Sequence, residues 1–301
     1  MNRMVLGFGL HEDDEPAVRL LGRLQFADAV VDTVHVVELP ALLSLATTDS
    51  RLGAELTDTV QEEEEKSRRD GAAVAARLRA EGATPGSTSV LFGNGVAAQL
   101  DAYADRASAA LIAVGSHGKG PALAFFTGSV GRGLVIGSHH SLLIVKGWQA
   151  ETGRIRAVFA TDHSEYADRC VDVLLDLAPQ GISHLTVLTA YPLRAVRTIE
   201  TFLPAGVGDP VEWVRKDLEQ RNAHVIQRLA PLGCEMDSQV RDGAVTEAIP
   251  RVLQETGADL LILGAKEHGF LERLDEGSTS LHEAMTEAKS VLVLRAPGEP
   301  R

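Results

Sequence analysis

The chain has 301 residues, enough for two ordinary domains or one large one. Hydrophobic residues make up 45% and charged residues 24%, a globular composition that excludes general disorder. The formal net charge of −13 excludes non-specific attraction to nucleic acid or to an anionic membrane surface.

In the first half, apolar runs predict strands at Arg3 to Gly9, Thr33 to Leu39, Thr88 to Gly93, Ala110 to Gly115 and Ser141 to Lys146. Between them, helical patterns run near Asp14 to Gln25, Leu56 to Arg79, Val96 to Arg106 and Ser129 to Ile136. Pro16 suits a first helical turn. The charge run Gln61 to Asp70 reads as a solvated helix face, because Glu62 with Lys66, Glu64 with Arg68 and Glu65 with Arg69 are i,i+4 pairs.

The second half repeats the scheme, with strands near Ile155 to Ala160, Leu185 to Ala190, Met236 to Arg241, Asp259 to Gly264 and Ser290 to Leu294. Its helices lie near Ser164 to Leu177, Val211 to Leu229, Ala244 to Glu255 and Ser278 to Ala288. Ser164 is placed to cap the first of these, and Pro250 predicts a kink or a late start in the third. The stretches Ala41 to Gly53 and Arg194 to Asp209 exceed this plan and read as loops or lids.

The likeness of the halves is a duplication. Val90-Leu91-Phe92-Gly93, Leu111-Ile112-Ala113-Val114-Gly115 and Gly128-Ser129 recur as Val240-Arg241-Asp242-Gly243, Leu260-Leu261-Ile262-Leu263-Gly264 and Gly277-Ser278, at offsets of 150, 149 and 149. Strict alternation of strand and helix then gives two tandem Rossmann-like, doubly wound α/β domains, 1–150 and 151–301, each a five-stranded parallel sheet with helices on both faces. The polar stretch Gly147 to Gly153 reads as the linker.

Cys170 and Cys234 are the two cysteines, too few and too scattered for a metal or disulfide framework. They read as plain thiols and suit a reducing cytoplasm. The apolar run Met4 to Leu10 is too short for a signal peptide, and no stretch reaches the length of a membrane span.

The segment that carries chemistry is Gly115-Ser116-His117-Gly118, nine further residues, then Gly128-Ser129-Val130. It starts where an apolar strand ends and finishes where a helix begins. Open α/β sheets bind ligands at the carboxyl ends of their strands. Gly115 and Gly118 carry no side chain to hold a phosphate off the backbone, and the helix start at Gly128, Ser129 and Val130 offers N–H groups and the positive end of a dipole. By spacing alone, a tight turn packed under a helix is an equal reading; the placement tips the balance toward a ligand.

This G-x2-G-x9-G-[ST] pattern after a buried strand resembles the nucleotide-binding signature of the universal stress protein family. Val34-His35-Val36-Val37 is similar to the family's second strand, and Ala160-Thr161-Asp162-His163-Ser164-Glu165 to its first strand-to-helix turn. The resemblance implies that Gly115, Gly118, Gly128, Ser129 and Val130 hold the ribose and phosphates of ATP or a related adenine nucleotide, with Val36 against the base. A magnesium ion can accompany the phosphates. The family's acidic contact to the adenosine falls at His11, a departure that bears on base affinity and selectivity. In the second half Asp162, Gly264, Gly277 and Ser278 match, but Glu267 replaces the second loop glycine. A carboxylate there repels a phosphate by roughly 1 kcal/mol in water and about 4 at an effective dielectric of 20, so the second site reads as degenerate.

Other motifs are weaker. Gly93-Asn94-Gly95-Val96-Ala97-Ala98 has a dinucleotide-binding spacing but follows the third strand, and no acidic residue ends the next one. No G-x-S-x-G elbow is present, and Ser129 near His117 reads as a cap or phosphate ligand. His139-His140 raises the question of a metal, but no third ligand is apparent, and a solvated helix end is the reading adopted. No catalytic or metal residue is assigned. The resulting expectation is a cytoplasmic stress-response protein that binds ATP in its first repeat and acts through nucleotide-dependent partner contacts. Its alternatives are a non-binding interaction protein and a slow ATP hydrolase. The family resemblance further implies that the last strands of the two repeats pair within the chain; whole-chain homodimers stay open.

Overall fold

The computed structural model describes residues 2–9, 15–38, 50–115, 129–147, 154–192, 209–265 and 290–297, with backbone alone for 50–59 and Thr246. The chain divides into two compact units, Met1–Gly147 and Trp148–Arg301.

The first unit runs β1 (Asn2–Gly7), α1 (Glu15–Leu24), β2 (Ala29–Glu38), α2 (Ser50–Ala80), β3 (Thr84–Gly93), α3 (Val96–Ala107), β4 (Leu111–Gly115), α4 (Ser129–Gly137) and β5 (Ser141–Val145). Its strands lie in the order β3-β2-β1-β4-β5, every pair parallel. The inner strands are apolar because helices cover them on both sides. Met4, Val5 and Leu6 of β1 and Leu111, Ile112 and Ala113 of β4 are fully shielded from solvent.

The second unit runs β6 (Ile155–Ala160), α5 (Glu165–Leu177), β7 (Ile182–Tyr191), α6 (Pro210–Leu229), a short 3-10 turn at Ala230–Leu232, β8 (Glu235–Asp242), α7 (Val245–Thr256), β9 (Leu260–Gly264) and β10 (Ser290–Leu294). Its parallel order is β8-β7-β6-β9-β10, the same winding as the first. The two α/β folds expected from the duplication are therefore present. No described helix is long and apolar enough to cross a membrane.

Local signals explain several boundaries. The Ser164 side chain accepts a hydrogen bond from Ala167 N at 3.2 Å and caps α5. Asp209 does the same for α6, with Pro210 in its first turn. On the solvated face of α2, Arg68 meets Glu64 at 2.6 Å.

Other boundaries differ from expectation. α2 begins at Ser50, so the end of the segment read as a loop from Ala41 to Gly53 is helical; residues 39–49 and 193–208 lie outside the described residues, as does the helix expected at Ser278 to Ala288. α7 begins at Val245 and runs through Pro250, with no late start. β3 begins at Thr84 and passes through Pro85 and Gly86, whose turn-like composition hid the strand. β3 is the outer strand of its unit, where proline is tolerated. A Cβ at Gly86 would collide with Asp32 Oδ1. Asp32 is fully buried in β2, where the β2–β3 register shifts. Its carboxylate accepts from Arg3 at 2.7 Å, Ser87 N at 2.8 Å and Tyr103 Oη at 3.3 Å. Buried ions persist only when paired and hydrogen-bonded in this way.

Candidate functional site

In the first unit, β1 leads outward through β2 to β3, while β4 leads the other way to β5. The strand order thus reverses between β1 and β4, whose register pairs Met4 with Leu111 and Gly7 with Val114. The crevice beyond their carboxyl ends is where such sheets accept ligands. Gly115 ends β4 at this crevice, half-buried and opposite Val145 of β5.

The far end of the loop is set by α4. Its first residues are Ser129, exposed, and Val130, half-buried. The leading N–H groups of a helix lack intrahelical acceptors and favour an anion. Gly133 seats this helix on α3, since a Cβ there would come within 2.7 Å of Ala97 Cβ. Gly7 makes a similar close approach, its would-be Cβ 2.7 Å from Leu100 Cδ1.

At the end of β2, Val36 is buried and pairs with Leu91. Its neighbour His35 is buried too, with Nδ1 2.8 Å from the Phe8 carbonyl and its ring 5.4 Å from the Phe8 ring. Because that carbonyl only accepts, Nδ1 carries the proton. The contact ties β2 to the turn leaving β1.

Gly115, Ser129, Val130 and Val36 therefore all lie among the described residues, with Gly115 and Val36 at strand carboxyl ends. His11, Gly118 and Gly128 lie outside the described residues, as do Gly277, Ser278 and Glu267 of the second repeat.

The second unit places different groups at the corresponding switch between β6 and β9. By strand register Gly7 corresponds to Ala160 and Gly9 to Asp162, whereas the sequence match set His11 against Asp162; the strand-to-helix connection spans 8–14 in the first unit and 161–164 in the second. Asp162 is exposed, and its Oδ1 accepts from Ser164 N at 3.0 Å, a turn-forming bond. The His163 side chain folds inward, with Nε2 3.0 Å from Thr189 Oγ1. Burial lowers the His163 pKa from its ordinary 6.5, against the opposing effect of a hydrogen bond to Asn222. Thr189 in turn donates to the buried Asn222 at 2.7 Å.

At the end of β9, Gly264 is covered by α5. Tyr166 Oη donates to the Ala265 carbonyl at 2.8 Å, and Arg295 reaches the same carbonyl at 2.7 Å. Burial pushes the Cys170 thiol up to about 11 and raises the Tyr166 phenol. This Tyr166–Cys170–Arg295 group was missed from sequence. Tyr166 precedes its carbonyl partner by 99 residues, and no local pattern marks the contact.

Comparison with known proteins follows the same division. The model of the universal stress protein family matches residues 1–146 and again 155–295. A solved universal stress protein from Archaeoglobus fulgidus superposes with a TM-score of 0.66 at 20% identity, over 99% of this chain and 98% of its own. A putative universal stress protein from Pseudomonas aeruginosa gives 0.57 at 16% identity, over 98% and 93%. These likenesses show the fold. A search of curated proteins found no match. Matched by the family model once in each half, over units of one winding, the chain belongs to the universal stress protein family.

Proposed function

We propose that the first repeat binds ATP or a related adenine nucleotide, and that the second does not. The observation that carries this reading is positional. The full G-x2-G-x9-G-S spacing leaves β4 at Gly115, beside the β1–β4 switch, and ends at the start of α4. Phosphates rest against the glycine backbone and the helix N–H groups, with the Ser129 hydroxyl adding a bond and magnesium balancing charge. The base lies toward Val36 at the end of β2. The acidic adenosine position falls at His11 by sequence match and at Gly9 by strand register, and neither carries a carboxylate, so the phosphate cradle supplies most of the affinity.

In the second repeat Glu267 sets a negative charge in the cradle, and Tyr166 and Arg295 already occupy the carbonyl that follows β9. Asp162 serves the adenosine end alone and leaves the phosphates unsupported.

No residue is assigned to catalysis. The protein acts through partner contacts that change with the nucleotide, in the cytoplasm. Mass spectrometry of small molecules released from freshly purified protein tests the reading: it predicts an adenine nucleotide, whereas protein that carries none and takes up none when ATP is added contradicts it.

A further inference from the structure

A polar cluster lies at the opposite rim of the first unit, at the amino ends of β4 and β5. Asp101 and Asp105 stand one turn apart on α3, and His139 and His140 end the α4–β5 connection. The Asp105 Oδ1 atom lies 3.0 Å from Nε2 of both histidines. Asp101, His139 and His140 each bring a donor atom within 4.8 Å of the others. Asp101 is thus the third ligand that the His139-His140 pair lacked in the sequence.

Two further observations concern what fills the cluster. His140 Nδ1 lies 2.9 Å from the Ala109 carbonyl, which only accepts, so Nδ1 holds a proton. Nε2 is then the ring atom left to face Asp105 Oδ1, 3.0 Å away. A ring fixed by a backbone carbonyl in this way is also the usual support of a metal-binding histidine. The second observation points to a metal ion. Asp101 Oδ1 is shielded from solvent and has no hydrogen-bond partner. A metal ion held by Asp101 and the two histidines would give that carboxylate the partner it lacks.

We infer that Asp101, Asp105, His139 and His140 form a binding site for a divalent transition metal, zinc being the ion that two imidazoles and carboxylates suit best. Zinc holds such ligands at about 2.1 Å, and so about 3.4 Å from one another, so the Asp101, His139 and His140 atoms would close by up to about 1.4 Å while Asp105 would draw back from the histidines by a few tenths of an ångström. Access is through His139, whose side chain is 57% exposed. At the offset of 149 that aligns α3 with α7 and β5 with β10, the second half has Pro250, Gln254, Ala288 and Lys289 at these positions. The site belongs to the first repeat alone.

The test is calorimetric titration of zinc chloride into tag-free, chelator-stripped full-length protein, without nucleotide. One zinc per chain is expected, with affinity reduced about tenfold or more in His139→Ala, His140→Ala and Asp101→Asn, each checked for folding by circular dichroism. His184→Ala, which removes the separate His184–Asp237 contact, should leave binding unchanged, as should Gly118→Glu. Failure of the unaltered protein to bind zinc, or unchanged affinity in both His139→Ala and His140→Ala, overturns the site. Full affinity in Asp101→Asn overturns it as well, since the unpartnered Asp101 oxygen is what points to a metal.

Discussion

Gly264 lies directly against Cys170: a Cβ added to the glycine would stand 2.7 Å from the Cys170 Sγ and 3.5 Å from Tyr166 Cε1. The glycine that ends β9 is thus required by packing, whatever its place in a loop pattern. Gly264→Ala should destabilise the protein by about 1–3 kcal/mol, the usual cost of overpacking a filled core. Urea denaturation checks this. Nucleotide stoichiometry should not change, because the proposed binding lies in the first repeat.

His163 makes stability depend on acid. Its folded pKa lies below the ordinary 6.5, chiefly through burial, so the folded chain favours the neutral ring. The unfolded chain takes up the proton first as pH falls. The contribution is therefore present above about pH 6.5 and is lost as pH falls through the folded pKa. Moving from about pH 7.5 to 5.5 should lower the urea midpoint more in the unaltered protein than in His163→Gln. Parallel declines would show that His163 has no part in the effect.

Asp32 holds the outer strand of the first unit through Ser87 N and helix α3 through Tyr103. Asp32→Ala leaves the Ser87 amide without its acceptor and removes a charged hydrogen bond, at a cost of about 2 kcal/mol. Chemical denaturation measures it. Tyr103→Phe, which removes only the long 3.3 Å contact, should cost less.

Much of this architecture was legible in the residues. The run Leu111-Ile112-Ala113-Val114 marks a strand buried on both faces, and Ser164 marks a helix start, because both signals act over a few residues. β3 was cut short because Pro85 and Gly86 carry turn chemistry, while their tolerance depends on an outer position and on buried Asp32, a partner far along the chain. The glycine spacing of the proposed phosphate loop is likewise a local pattern in the sequence, while residues 116–128 lie outside the described residues. The Tyr166–Ala265 contact and the approach of Asp101 to His139 and His140 arise only when distant segments fold together.

The inequality of the repeats is the central claim, and calorimetric titration of the full chain with ATP and magnesium tests it most directly. A stoichiometry near one per chain is predicted, with Ser129→Ala weakening binding by about 1 kcal/mol, the scale of one hydrogen bond. Gly118→Glu, which builds into the first loop the charge that Glu267 brings to the second, should abolish binding. Two equal sites in the unaltered protein, or a single site that survives Gly118→Glu, would contradict the account.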